Sequence, residues 1–243
     1  MPQRSLQITT PDGTAPATLF TPEGATPQSA IILYMDAFGP RPGLEAMAGR
    51  LAAMGHAVLL PDLFYRFGPY GPFDAATAFA NPEVRAQLMG MIGKTTQAMT
   101  EADTGAFLDA LTAAGVSGSV GTVGYCMGGA RALTAAAAYP DRIVAAASIH
   151  GGHLAGDAPD SPHLRAGQIK GRVYVGCAGV DKSFPPEQSA RLAQALRDAG
   201  VDHIIENYVG AEHGWAVPDH SVHNPAAAER HWLRLATFFG ETL

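Results

Sequence analysis

Two cysteines in 243 residues, Cys126 and Cys177, are too few for a disulfide framework. Charged side chains are also scarce, at 16% of the chain, and no run of lysine or arginine stands out. With a net charge of −6, a nucleic-acid partner is not expected. The opening residues, Met1-Pro2-Gln3-Arg4-Ser5-Leu6-Gln7, lack the apolar core of a signal peptide. No apolar stretch is long enough to span a bilayer, so no membrane association is expected. A reducing, cytoplasmic setting follows as the expectation, one in which a thiol stays free. What the chain has in quantity is apolar residues, 47% of the total, enough for a sizeable core. No repeat, low-complexity tract or linker divides it, which predicts one domain over residues 1–243.

The apolar residues fall in a regular order. Leu6 to Thr9 and Ala17 to Phe20 flank Pro11-Asp12-Gly13, a hairpin signal. Ala30 to Met35 and His56 to Leu60 are short apolar runs, as expected of strands buried on both faces. Between them, Leu44, Met47, Ala48 and Leu51 mark one face of a helix near Gly43 to Met54. Residues 63 to 81 read as loop, and helical patterns cover about Glu83 to Met99 and Glu101 to Ala114. Strands are expected at Val120 to Val123, Ile143 to Ile149, Arg172 to Val175 and His203 to Tyr208. Helices are expected at Ala130 to Tyr139, Pro186 to Ala199 and Pro225 to Phe239. Strands alternating with helices after an N-terminal antiparallel hairpin predict an α/β fold with a mostly parallel sheet and helices on both faces.

One short run carries chemistry: Val123-Gly124-Tyr125-Cys126-Met127-Gly128-Gly129. Strand, sharp turn and helix follow one another here, the context of a nucleophile elbow, with cysteine where serine is usual. The glycines remove the clashes that side chains would make in a strained turn. The sulfur then stands at a helix N-terminus, where partial positive charge favours a thiolate. Cys177 lacks such a context and reads as an inert buried thiol.

A thiol nucleophile needs a base, and the base needs an orienting acid, in the chain order nucleophile, acid, histidine. Asp181, just past a strand in Val175-Gly176-Cys177-Ala178-Gly179-Val180-Asp181, is the leading acid, with Asp157 and Asp160 as rivals after the preceding strand. His213, in Gly210-Ala211-Glu212-His213-Gly214-Trp215, is the base. Oxyanion donors are expected at the backbone N–H groups of Met127, directly after the nucleophile, and Ala37, in the loop after an earlier strand. His150 and His153 also follow a strand, but no third ligand completes a metal pattern, so no metal is expected and His150 is read as pocket floor. Asp62 reads as a turn residue.

These stretches, together with Asp36-Ala37-Phe38-Gly39, Pro61-Asp62-Leu63, Gly179-Val180-Asp181 and Glu212-His213-Gly214-Trp215, resemble the dienelactone hydrolase family, the cysteine branch of the α/β-hydrolases. The resemblance reaches from about Ala30 to Ala216. It implies the α/β-hydrolase fold, a Cys126, Asp181, His213 triad, and hydrolysis of lactones or other carboxylic esters in the manner of a carboxymethylenebutenolidase. It also implies a shallow pocket without a cap and no cofactor. The family's thiol-adjacent glutamate corresponds here to Asp36, one methylene shorter. Asp36 would accept the S–H hydrogen bond, or the resting thiol would pair with His213, or Asp36 would cap the helix near Arg41. The family binds a substrate carboxylate with arginines, one shortly after the catalytic histidine; here Trp215-Ala216-Val217-Pro218 follows, without one. Arg66 or Arg85 could supply the cation.

Phe38, Tyr65, Tyr70 and Trp215, with Phe64, Phe67 and Phe73, either line an apolar pocket or cover the core. A small-molecule ester or lactone is the expected partner. Acyl transfer or thioester hydrolysis by the same three residues is one alternative, and a non-catalytic small-molecule binder on a hydrolase scaffold is another.

Overall fold

The computed structural model describes residues 1–24 and 27–243. Its centre is one eight-stranded sheet. Strands β1 (Gln3–Thr10) and β2 (Gly13–Phe20) form the hairpin, β1 longer at both ends and β2 at its start than the apolar residues alone suggest. Strands β3 (Ala30–Tyr34), β4 (Ala57–Pro61), β5 (Val120–Tyr125) and β6 (Ile143–Ile149) follow, then β7 (Arg172–Val180) and β8 (His203–Glu212). The spatial order is β1-β2-β4-β3-β5-β6-β7-β8. Pairing is antiparallel from β1 through β2 to β4 and parallel from β4 onward. Every residue of β3, β4 and β5 is buried, which is why their sequences are continuous rather than alternating apolar runs.

The chain leaves β3 for β4 on one side and later returns to place β5 on the other. Strand order reverses there, and in open parallel sheets this reversal leaves a crevice at the C-terminal strand ends. The residues after β3 and β5, Asp36-Ala37 and Cys126-Met127, open onto that point.

Helices α1 (Pro42–Ala52), α2 (Pro82–Lys94), α3 (Gln97–Ala113), α4 (Met127–Ala138), α5 (Pro186–Asp198) and α6 (Pro225–Thr242) pack around the sheet. The pattern expected to run to Met99 is cut at Thr95, whose backbone is extended, and Thr96 caps α3 by accepting the Met99 N–H at 3.2 Å. A hydroxyl bonding its own backbone competes with helix, so the break falls where two threonines meet. A short 3-10 segment, Pro162–Gln168, had no clear sequence signal. β7 and β8 run further than expected, as far as Val180 and Glu212, and so deliver Asp181 and His213 directly from strand ends. α4 is buried along almost its whole length. Its small side chains permit this, and so does Gly128, where a Cβ would lie 2.2 Å from the Tyr34 carbonyl oxygen.

Candidate active site

Cys126 joins β5 to α4 with φ 55 and ψ −120, a conformation that costs a non-glycine residue about 1–3 kcal/mol. Gly124 makes the turn possible, since a Cβ there would stand 1.8 Å from the Gly128 carbonyl oxygen. The strained residue is gripped through both backbone groups. Its N–H donates to the Ile149 carbonyl and to His150 Nδ1, both at 3.2 Å. Its carbonyl accepts from Gly129 N–H at 3.0 Å and Gly152 N–H at 3.4 Å. Cys126 is half-buried, so the thiol remains reachable.

His213 and Asp181 meet beside it. His213 Nδ1 lies 2.7 Å from Asp181 Oδ2, and the Cys126 sulfur is near enough to the His213 ring to act on its charge. Asp181 is 2% exposed in its side chain and His213 28%. Burial disfavours charge on His213, but the adjacent Cys126 sulfur and the hydrogen bond with Asp181 outweigh it and hold its pKa up at about 10. Burial likewise opposes the Asp181 charge, and hydrogen bonds from His213 and Ser183 keep its pKa below the usual carboxylate value. Ser183 donates to Asp181 Oδ1 from its N–H at 2.7 Å and its hydroxyl at 2.6 Å. Ser183 is not among the residues that the motifs mark. Its signal was the Asp-x-Ser spacing of an Asx-turn.

Met127 opens α4, so its N–H belongs to the first turn, whose donors a helix leaves unpaired. Ala37 is fully buried in the turn after β3. Asp36, also fully buried, has partners other than the thiol. Phe38 N–H and Arg41 donate to Oδ1 at 3.0 and 2.7 Å; Arg41 and His220 Nε2 sit 2.8 and 3.0 Å from Oδ2. A carboxylate offers about four lone-pair sites, and these contacts fill them, leaving none for the S–H bond that the resemblance implies. Nor does Asp36 cap α1, whose N-cap is Arg41 without a side-chain bond. Burial opposes the Asp36 charge, but His220 and Arg41 keep its pKa lowered. Arg41 also reaches Asp219 through two bonds of 2.7 and 2.8 Å. One guanidinium thus ties the loop after β3 to the loop after β8.

The remaining residues singled out in the sequence scatter. Trp215 is fully buried and stacks on Tyr208 with centroids 4.2 Å apart, so it belongs to the core. His150 is fully buried too. Arg66 forms ion pairs with Asp103 and Asp12, and Tyr65 hydroxyl bonds Asp103 and Thr10. Arg85 is exposed on α2. Tyr70 hydroxyl donates to Asp62 at 2.6 Å, and Asp62 also accepts the Phe64 N–H, a turn role. Phe38, Tyr65 and Tyr70 line a cavity of about 660 Å³ against the hairpin, alongside Arg41, Asp62 and Phe73, but Cys126 is not on its wall. Asp157, one rival acid, pairs with Arg191 at the surface. Among the described residues, no three His, Cys, Asp or Glu side chains form a group able to hold a metal ion. Nor is any helix there long and apolar enough to cross a membrane.

Residues 15–243 match the model of the Dienelactone hydrolase family. A carboxymethylenebutenolidase of Rhodococcus opacus is 30% identical over 218 residues, which are 86% of this chain and 79% of that protein. The fold superposes on a dienelactone hydrolase-like promiscuous phosphotriesterase from metagenomic libraries with a TM-score of 0.78 and 26% identity, covering 99% of this chain and 98% of that one. It also superposes on a dienelactone hydrolase of Anabaena variabilis with a TM-score of 0.70 at 19% identity, over 100% and 98% of the two chains, a likeness of fold alone.

Proposed function

The chain belongs to the dienelactone hydrolase family, and from that premise we propose that it is a cysteine-dependent hydrolase of lactones or esters. The observation that carries the reading is the line from Cys126 sulfur through the His213 ring to Asp181 Oδ2, set on a strained elbow. Asp181 fixes the tautomer by engaging Nδ1, which turns Nε2 to the sulfur.

In the first half-reaction the Cys126 thiolate forms a bond to the substrate carbonyl carbon. The oxyanion takes hydrogen bonds from the N–H groups of Met127 and Ala37. As the C–O bond breaks, the His213 imidazolium gives its proton to the departing alkoxide, leaving an acyl-thioester. In the second, neutral His213 takes a proton from water, hydroxide adds to the thioester, and the thiolate leaves with the acid as product. Amides are poor substrates for such a site, since from the tetrahedral intermediate the thiolate leaves before an unprotonated amine.

Arg41 and Arg66 are each engaged by two carboxylates. This favours esters whose recognition needs neither of these two guanidinium groups. The test is steady-state hydrolysis of a neutral aryl ester, a carboxylate-bearing dienelactone and a neutral phosphotriester, with the Cys126→Ala protein as blank. Turnover of the neutral ester, lost in the variant, with an acyl adduct on Cys126 in mass spectra, is the expected result. Retained turnover in a folded Cys126→Ala protein overturns the mechanism.

A further inference from the structure

β6 ends at Ile149, and the residues from there to His153 contact Cys126, His213 and Ser183. Ile149 and His150 take the Cys126 N–H, and Gly152 N–H binds the Cys126 carbonyl. His150 N–H donates to the Gly176 carbonyl of β7 at 2.7 Å. His153 N–H donates at 2.8 Å to the carbonyl of Ser183, the residue that braces Asp181. His150 and His153 take φ of 38 and 55. With Cys126 they make up the non-glycine residues of positive φ among those described. The thiol residue and two residues of the segment that grips its backbone thus share positive φ, the pattern of strain held for function.

We propose that His150 is a positioning residue for the nucleophile: its neutral Nδ1 accepts the Cys126 N–H and so fixes the elbow that aims the sulfur at His213. The assignment rests on reading Cys126 as the nucleophile. The chemistry of the acceptor is specific. Nδ1 can accept only if it carries no proton, so the ring must be the Nε2–H tautomer. Protonation would set Nδ1–H against Cys126 N–H, donor against donor.

The surroundings keep the ring neutral. His150 is fully buried, with His213 edge-to-face at 5.3 Å between centroids, Trp215 at 5.8 Å and Tyr125 at 5.8 Å. Burial, then charge on His213, His220 and His231, hold its pKa well below the ordinary 6.5. Charge on His213 during catalysis therefore reinforces the neutral form that His150 needs.

Two variants and one spectrum decide the matter. Asn at position 150 offers a carbonyl oxygen close to where Nδ1 lies, whereas Phe fills the space without an acceptor. In His150→Phe, alkylation of Cys126 by iodoacetamide and kcat are expected to fall by about tenfold or more, with KM little changed. His150→Asn is expected to restore most of both. Nitrogen-15 histidine spectra of the unaltered chain should show one ring in the Nε2–H form, still neutral at a pH where exposed histidines have titrated, and missing from His150→Asn. Parent-like alkylation in His150→Phe, or an Nδ1–H tautomer at His150, overturns the proposal. So does a folded His150→Asn protein as slow as His150→Phe. If His150→Phe does not fold, the spectrum and the Asn variant still decide. Alkylation and spectra need no substrate, so they stand apart from any failure to find ester turnover.

Discussion

The end of β5 and the middle of β7 each hold one of the two cysteines, and the thiols there live in opposite environments. Cys126 sits on a positive-φ turn at a helix start, half-buried, its sulfur against His213. Cys177 lies inside a regular strand, 6% exposed, with Ser189 hydroxyl 4.0 Å away. Burial pushes the Cys177 thiol up to about 11. The same functional group is thus enclosed in one place and, on the proposed mechanism, the nucleophile in the other. Backbone shape and one imidazole make the difference, not the residue type.

The largest expected effect comes from disarming Cys126 without touching it. Asp181→Asn should lower kcat by about 10³–10⁴-fold through the wrong imidazole tautomer, checked by steady-state kinetics on whichever ester proves best. Gly124→Ala should distort the elbow, because its new methyl meets the Gly128 carbonyl at 1.8 Å. A loss of about 3 kcal/mol in urea unfolding is expected from such overpacking, with Cys126 alkylation slowed toward that of Cys177.

pH separates the thiols further. His213 has a folded pKa raised to about 10 from 6.5. Its contribution to stability is complete below about pH 6.5 and is lost as pH rises through about 10. Urea unfolding between pH 6 and 10.5 should trace that loss, and kcat/KM should fall over the same alkaline range as the imidazolium acid disappears. In Cys126→Ala the pull of the sulfur is gone, so the loss should begin at lower pH. An unchanged profile would mean that the sulfur and ring do not interact.

The smallest effects belong to β7. At pH 7 about one Cys177 thiol in 10⁴ is ionised if its pKa is near 11, so mass spectra after brief iodoacetamide treatment should show one adduct, on Cys126. Cys177→Ala should leave kcat/KM as it is and cost about 1 kcal/mol of stability for the emptied space. Activity lost with Cys177 would break the comparison.

The sequence made the elbow legible because its requirements are local: a strand, a glycine two before the cysteine and two glycines after Met127. The positions of Asp181 and His213 were readable for a related reason, each lying just past a strand. The sheet was readable from alternation of apolar runs and amphipathic stretches. What could not be read were pairings between distant segments. Nothing near Arg41 announces Asp219, and nothing near Arg66 announces Asp103, yet these contacts decide which cations are engaged. Whether Trp215 lines a pocket or covers the core could not be read from the chain either. It turns inward because Tyr208, from the same strand's middle, offers a ring to stack on. The partners of Asp36 were hidden likewise, since His220 lies far along the chain.

The bridge from Asp36 through Arg41 to Asp219 has a consequence for how this protein can change over generations. Gly43 belongs to it too, because a Cβ there would lie 2.4 Å from Asp219 Oδ2. Four positions, in the loop after β3, the start of α1 and the loop after β8, therefore form one heritable unit. Replacing Asp219 removes one of the two carboxylates that hold Arg41, and replacing Gly43 displaces that same carboxylate. Recombination that exchanges the segment after β8 without the segment after β3 separates the pieces of a single part, and shuffled libraries should keep or lose them together.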